Sequence, residues 1–376
     1  MKVLFLVFLV KQHNKCVVGD QCNLYAKSIG LTINDILRNQ IQPNISFIKQ
    51  SSLIHTATAI SMIMFLIGFI SSIFSFVTFK DKELRKVGCA IYLLASSITS
   101  LLTISMFTLK FWFVVFIELN STVNSSVLLF DCIFIGPVLK LCLYFDGWLN
   151  ACVAFERTIN VSKGVTFNKK LSQTMARRLV LILPILIMGS IIHEPMHHQL
   201  FKHTTQRYEL IKNNDLTRNI SNASTREDSV KLIDEQHVLC VIRYSTSWQI
   251  YNTITLYFHL LVPFVVNLFS ALFIIFGTAR QRSTTRRNHT LKQHIFKQIN
   301  EHKQLLISPF ILLILAMPRL ILSLVSGCVD PTDNPWLYLC AYFISYIPPM
   351  LIFVVFVLPS KLYTKTFKDT IAICRQ

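Results

Sequence analysis

The sequence has few charged residues and very little acid. Charged residues fill 15% of its 376 positions, against about a quarter in a typical soluble domain, and 19 are acidic against 37 basic. This shortage excludes an ordinary soluble domain, and the 52% of hydrophobic residues indicates a membrane protein. The net charge of +18 does not predict a nucleic-acid partner, because the basic residues lie in short loops between apolar runs, where membrane topology explains them.

Motifs of catalysis and metal binding are also missing. The ten cysteines form no CxxC pair and show none of the His/Cys spacing that is typical of zinc sites. We find no glycine-rich phosphate loop and no pattern of a nucleophile with its base. We therefore expect no enzyme activity, no cofactor and no metal.

Seven apolar runs have the length of a helix that crosses a membrane. They predict helices at 53–79, 88–109, 131–157, 179–196, 249–277, 304–327 and 336–358. The predicted fold class is an all-α membrane protein, a bundle of seven transmembrane helices followed by a short amphipathic eighth helix. The fourth run is the weakest, because basic residues precede it and it ends in His193, Glu194 and Pro195.

The charges of the loops predict the orientation. Basic residues dominate the loops at 80–86, 158–178 and 278–303 and the tail after 358, whereas the loop at 111–130 has no Lys or Arg. The positive-inside rule then places the N-terminus outside and the C-terminus in the cytosol of a multi-pass protein of the plasma membrane. Five glycosylation sequons agree with this orientation, since they fall on the predicted outer side: Asn44, Asn120, Asn124, Asn219 and Asn222. Asn160 and Asn288 also begin sequons but fall on the inner side, where we expect no glycosylation.

These predictions divide the chain into three parts. Residues 1–52 form an extracellular segment, in which 3–10 read either as the core of a signal peptide or as an uncleaved stub at the membrane surface. Residues 53–358 form the receptor-like transmembrane domain, and 359–376 form the amphipathic helix and cytoplasmic tail.

The third predicted helix is unusually polar for a membrane span. It contains Lys140, Asp146, Asn150, Glu156 and Arg157. Ionisable groups are costly inside a bilayer, so a span that keeps several of them is a functional candidate. A stripe of polar side chains must also face other helices, which indicates a bundle.

The ordered motifs of this helix and its neighbours resemble those of rhodopsin-like (family A) G-protein-coupled receptors. Glu156-Arg157-Thr158 ends the third helix where that family has its acid-Arg-Tyr motif, and Cys132 stands 25 residues before Arg157, at the spacing of the family's disulfide cysteine. The other matching positions are Cys240 in the loop before the fifth helix, the helix prolines Pro263 and Pro318, and PSKLYTKTF after the last helix.

The resemblance implies several roles. It implies a disulfide between Cys132 and Cys240, a palmitoylation candidate at Cys374, and an outer ligand whose binding activates a heterotrimeric G protein inside. Glu156, Arg157 and Thr158 would form the coupling switch, with Arg157 paired to Glu156 in the inactive state. The alternative for Arg157 is a guanidinium that reaches the lipid head groups.

Departures from the family pattern direct attention to Asp146. The second helix has Ile98 where the family usually has an Asp, so the buried carboxylate of this chain stands on the third helix instead. Asn150, Ser96 and Ser97 are the candidates to assist Asp146 in holding sodium or a proton. The alternative is a protonated, hydrogen-bonded packing residue.

Two cations suggest the charge of the ligand. Lys140 on the third helix and Arg319 on the sixth fall at the level of the family's ligand cavity, which favours an anionic small molecule or peptide. His259, Asn252 and Thr255 on the fifth helix are weaker candidates. The alternatives are a Lys140 that snorkels outward, an Arg319 paired with a loop acid, and a His259 that packs in the core.

Two other functions fit a bundle of seven helices. A secondary transporter usually shows internal repeats and broken helices, of which the sequence shows no matching pair. A ligand-gated channel of the insect-odorant type would have its N-terminus inside, contrary to the loop charges and the sequons.

Overall fold

The computed structural model describes residues 33–37, 40–42, 45–119, 129–210, 230–242, 244–285 and 334–375, together with a few positions between 311 and 317. Among these, five helices are long and apolar enough to cross a membrane. They are α1 (Ser52–Phe79), α2 (Gly88–Leu119), α3 (Gly136–Lys163), α4 (Lys169–Ile191) and α5 (Thr246–Thr285). They match five of the seven predicted runs and indicate a helical membrane protein. The run at 304–327 lies almost entirely outside the described residues.

Helix α2 continues ten residues beyond its predicted end. The prediction stopped at 109 because Lys110 interrupts the apolar run. In the structure Lys110 is buried and its ammonium group donates to the carboxylate of Asp131, just before α3. With its charge paired inside the protein, the helix continues to Leu119.

Helices α3 and α4 are bounded by recognisable signals. A turn of π-helix, Asp131–Ile135, leads into α3. Helix α3 ends at Lys163, and the next residue, Gly164, has a φ of 50°, which suits a residue without a side chain. Asn168 caps α4, since its side chain accepts a hydrogen bond of 3.1 Å from the backbone N–H of Leu171. Helix α4 begins ten residues before the predicted 179 because its first turns are basic and do not register as apolar.

The last predicted run is not one continuous helix. It consists of α6 (Pro335–Ile344), α7 (Ile347–Met350) and a π-helical turn at Phe353–Val357. The breaks surround Pro348 and Pro349, which lack the N–H groups that a continuous helix needs. Helix α8 (Lys361–Arg375) follows, as predicted for the amphipathic eighth helix.

A β-hairpin precedes α5 and adds strands to the predicted all-α fold. Strand β1 (His198–Leu210) pairs antiparallel with β2 (Val230–Ile242), and His198 is opposite Ile242. The sequence of 196–248, where seven basic and six acidic residues nearly balance, predicts only a long loop. The remaining described elements are single turns at Ile33–Leu37, Phe47–Lys49, Leu84–Lys86, Gly164–Thr166 and His193–Met196.

The helices pack around α2 and α3. Helix α2 contacts α1, α3 and α4, and α3 also packs along α5. Near the predicted extracellular end Phe107 of α2 lies against Tyr346, with ring centroids 4.4 Å apart. Near the predicted cytosolic end α8 docks through Phe367, whose ring lies 5.3 Å from Phe74 of α1 and 4.9 Å from Phe353. Helix α3 is therefore surrounded by other helices along most of its length.

Candidate functional site: the length of α3

The predicted cytosolic end of α3, called the inner end below, holds Glu156 against the starts of two other helices. Its carboxylate accepts a hydrogen bond from the Ser172 hydroxyl on α4 and lies beside the backbone of Gly88 at the N-terminus of α2. Ser172 in turn accepts a 3.1 Å hydrogen bond from the Gly88 N–H. A helix N-terminus favours a negative charge. Glu156 therefore links three helices.

Arg157 contacts the last segments of the chain. Its guanidinium lies 5.4 Å from the centre of the Phe356 ring, and it hydrogen-bonds with the side chains of Cys89 and Tyr363. Cation–π contacts of this kind are worth about 0.5–2 kcal/mol. Burial raises the pKa of Tyr363, so the phenol stays uncharged and can accept from the guanidinium. Arg157 also interacts electrostatically with Glu156, and their predicted pairing in an inactive state stays a prediction.

Thr158 completes the inner cluster. Its hydroxyl lies 3.0 Å from the Ala154 carbonyl oxygen of its own helix and 3.4 Å from the Ser270 carbonyl oxygen of α5. The three consecutive residues that the resemblance singled out therefore contact different elements: α2 and α4, the last segment with α8, and α5. We call Glu156, Arg157 and Thr158 the inner junction.

The middle of α3 brings together three of the four polar residues predicted there. Asp146 is buried, and its carboxylate accepts hydrogen bonds from Ser96 of α2 at 2.5 Å and from the side-chain amide of Asn150 at 3.2 Å. Ser97 is buried too, but its hydroxyl donates to the Leu93 carbonyl of its own helix. The Asn150 side-chain oxygen has no hydrogen-bond partner among the described residues.

The geometry corrects the assignment of the missing Asp to Ile98. Ile98 is 45% exposed, so it faces away from the bundle, and the α2 residue that faces Asp146 is Ser96. Ser72 of α1 and Ser100 of α2 are also buried, and their hydroxyls have no hydrogen-bond partner among the described residues. Buried polar atoms normally find a partner, so the unsatisfied Asn150 oxygen leaves one acceptor beside Asp146 for a water or an ion.

Two ion pairs lie near the outer end of α3, one buried and one partly exposed. Lys110 donates to Asp131, as described above, and the Lys140 ammonium lies 2.5 Å from a carboxylate oxygen of Glu194. Glu194, which lies 54 residues away in sequence, therefore gives Lys140 a counter-charge that the sequence did not predict. The role of Lys140 in binding an anionic ligand stays a prediction.

His259 is a packed histidine. The Trp148 indole N–H donates to its Nδ1 at 3.0 Å, its Nε2 lies 2.8 Å from the Ser190 hydroxyl oxygen, and its ring stacks on Tyr144. Because Nδ1 accepts, the proton is on Nε2, and the hydroxyl of Ser190 donates to the Ile187 carbonyl. His259 therefore joins α3, α4 and α5, and both its ring nitrogens are occupied.

The turn after α4 contains a pattern that the sequence analysis missed. Residues 193–197 read His-Glu-x-x-His, the spacing of a zinc-binding helix. Here the helix spans only His193–Met196, Glu194 pairs with Lys140, and the His193 ring nitrogens lie near the Ser190 carbonyl and the Asn252 side-chain oxygen. No group of three metal-ligating side chains is found among the described residues. The pattern serves packing.

The remaining predicted residues are accounted for briefly. Asn252 is held by His193, and Thr255 is buried on α5. Outside the described residues or side chains lie Arg319, Pro318, Cys132, Cys240, Cys374, Asn44, Asn120, Asn124, Asn219 and Asn222. The disulfide, the palmitoylation and the glycosylation therefore stay predictions.

Comparison with known proteins does not assign the chain to a family. No family model matches the chain, and no curated protein matches it.

Proposed function

We propose that the chain is a seven-helix receptor of the plasma membrane that binds an extracellular ligand and activates a heterotrimeric G protein. The observation that carries the proposal is the inner junction. Three consecutive residues at the end of α3 contact α2, α4, α5, the last segment and α8. A movement of α3 against any of these elements must rearrange the junction.

The junction suits a switch because its central cation is held by weak, exchangeable contacts. Arg157 has an aromatic face and neutral hydrogen-bond partners in Phe356, Tyr363 and Cys89. A carboxylate or a helix C-terminus of a partner protein would offer a stronger, charge-assisted partner. Such a partner would take Arg157 away from α8, which is the exchange that a two-state receptor needs.

The test measures nucleotide exchange directly. The purified chain in lipid nanodiscs is mixed with heterotrimeric G proteins of each class, first alone and then with a ligand library. We expect the wild type to accelerate exchange and Arg157→Ala to lose at least about tenfold of that acceleration, within the usual range of coupling energies. Arg178→Ala is the matched control, because Arg178 is an exposed arginine on the same predicted side.

Failure has a clear form. Acceleration that persists in Arg157→Ala would overturn the role of the junction, and no exchange with any G protein would overturn the receptor. Ionic current through the purified chain in a bilayer would instead favour a channel.

A secondary transporter is the other candidate. The observation that favours it is the interrupted last segment, since transporters bind substrates at broken helices. In the described residues the other proline-containing spans, α4 with Pro184 and α5 with Pro263, continue through their prolines. Uptake of a radiolabelled ligand into proteoliposomes would decide for transport.

A further inference from the structure

The outer end of α3 contains polar atoms that the described protein leaves without partners. Asp131 is only 1% exposed, yet Lys110 occupies one carboxylate oxygen and the other has no partner. The Tyr244 hydroxyl and the Nδ1 atom of His198 are likewise buried without a hydrogen bond. An unsatisfied buried polar group costs about 1–3 kcal/mol. Three such groups in one region therefore indicate that a bound molecule supplies their missing hydrogen bonds.

These atoms belong to one neighbourhood. The turn His193–Met196 packs against the segment that contains Asp131. His198 interacts electrostatically with Glu194, Lys140 and Lys110, and Tyr244 with Glu194. The Tyr244 ring lies 5.7 Å from the His193 ring and 5.3 Å from the His197 ring. We call Asp131, His198 and Tyr244, together with the ion pairs Lys110–Asp131 and Lys140–Glu194, the outer polar site.

The net charge of the outer polar site is close to zero. Lys110 is balanced by Asp131 and Lys140 by Glu194. Burial lowers the pKa of His198 and raises that of Tyr244, so both are uncharged at neutral pH. An ion that enters the site would lose its hydration shell, and it would find each charged side chain already paired with an opposite charge. Its binding is therefore unfavourable.

The unsatisfied atoms are complementary in kind. The free Asp131 oxygen accepts a hydrogen bond, the Tyr244 hydroxyl can donate one, and the His198 nitrogen does either according to its tautomer. At the edge of the site the Lys140 side chain is 29% exposed and His198 and Tyr244 are half-buried, whereas the three unsatisfied atoms themselves are buried. A bound molecule would therefore have to displace the partly exposed side chains at this edge.

From this we infer that the outer polar site binds an uncharged small molecule with a hydrogen-bond donor next to an acceptor, as in a primary carboxamide. Its N–H would donate to Asp131 and its carbonyl oxygen would accept from Tyr244. This inference rests on the proposed receptor function, because it names the class of ligand, and it replaces the anionic ligand that Lys140 suggested.

Three probes of one shape test the charge preference: benzamide, benzoate and benzylammonium. Their binding to the purified full-length chain in nanodiscs is measured by ligand-detected NMR, in the absence of G protein. We expect benzamide to bind most tightly. Tyr244→Phe should weaken benzamide about tenfold, the value of one hydrogen bond to a ligand. Tyr251→Phe is the matched control, because the Tyr251 hydroxyl already donates to the Ser190 carbonyl.

A second variant reverses the preference. Asp131→Asn leaves Lys110 without its counter-charge, so benzoate should gain over benzamide. If this variant does not fold, Tyr244→Phe still decides the question. Tightest binding of benzoate to the wild type, no binding of any probe, or equal losses in Tyr244→Phe and Tyr251→Phe would each overturn the inference.

The outcome is separable from that of the receptor proposal. Benzamide that binds through Tyr244 but leaves nucleotide exchange unchanged would support the site and count against benzamide as an activator. G-protein activation by ligands that bind equally well to Tyr244→Phe would support the receptor and overturn the site.

Discussion

At its inner end α3 places Glu156, Arg157 and Thr158 against other helices, whereas at its outer end it carries ion pairs beside polar atoms without partners. The inner residues are held by contacts that a partner protein can exchange. The outer residues are arranged around hydrogen bonds that the described protein does not make. Under the proposed function, the outer end would receive a molecule and the inner end would pass on a movement.

The largest expected effect comes from breaking the ion pair between Lys110 and Asp131. Lys110→Met leaves the Asp131 carboxylate buried without its cation, which should cost about 3–5 kcal/mol in the free energy of unfolding. Denaturant unfolding in detergent micelles measures it. The double variant Lys110→Met with Asp131→Leu should recover most of the loss, because no charge is left buried. No recovery would mean that the pair matters through shape rather than charge.

Ser96→Ala tests the middle of α3. It removes a hydrogen bond to the buried Asp146 carboxyl group, worth about 1.5–3 kcal/mol if that group is charged. The matched control is Ser97→Ala, because Ser97 is equally buried on α2 but bonds only to its own helix. Equal losses of unfolding free energy in the two variants would show that the hydrogen bond from Ser96 to Asp146 does not add to stability.

Gly88→Ala sharpens the comparison at the inner end. An added Cβ would lie 2.7 Å from both Glu156 Oε2 and Ser172 Oγ, so the Glu156–Ser172 contact must shift, at a cost of about 1–3 kcal/mol. At Gly189 a Cβ meets nothing within 4 Å, and Gly189→Ala is the control. We expect only Gly88→Ala to lower thermal stability and change basal nucleotide exchange. Unchanged exchange would contradict the role of Glu156 in the junction.

A sodium titration tests whether the Asp146 cluster holds an ion. If it does, thermal stability in sodium chloride should exceed that in choline chloride by about 1 kcal/mol at a sodium concentration several times the dissociation constant. Asp146→Asn should abolish the difference. A difference that survives this substitution places the ion elsewhere, and no difference in the wild type favours a protonated packing residue.

The smallest effect is expected at the exposed pair of Lys86 with Glu83. Their side chains are 64% and 76% exposed, so water and salt screen the attraction. Lys86→Ala should change the unfolding free energy by about 0.5 kcal/mol or less. A loss as large as that of Lys110→Met would show that burial does not set the strength of these pairs.

The sequence predicted local features well. Five apolar runs became helices, and the clustering of Asp146 with Asn150 and Ser96 followed from helical spacing and one contact between neighbouring helices. Hydropathy misplaced the end of α2 and the start of α4, because it does not show that Lys110 is paired or that α4 begins with solvated basic turns.

Long-range partners were beyond sequence reasoning. Nothing near Lys140 in the chain indicated Glu194, and the role of Tyr363 beside Arg157 depends on how α8 folds back against the bundle. The placement of Ile98 also failed, because counting from family motifs cannot tell which side of α2 faces the core.

The most direct test of the account follows the inner junction itself. Spin labels at Asn160 and Lys365, both exposed, report the distance between α3 and α8 by double electron–electron resonance. Exposed cysteines such as Cys340 are replaced first. We predict that nucleotide-free G protein lengthens this distance as Arg157 leaves Tyr363. In Arg157→Ala we predict that the distance is already longer in the absence of G protein. A distance that G protein leaves unchanged would contradict the account.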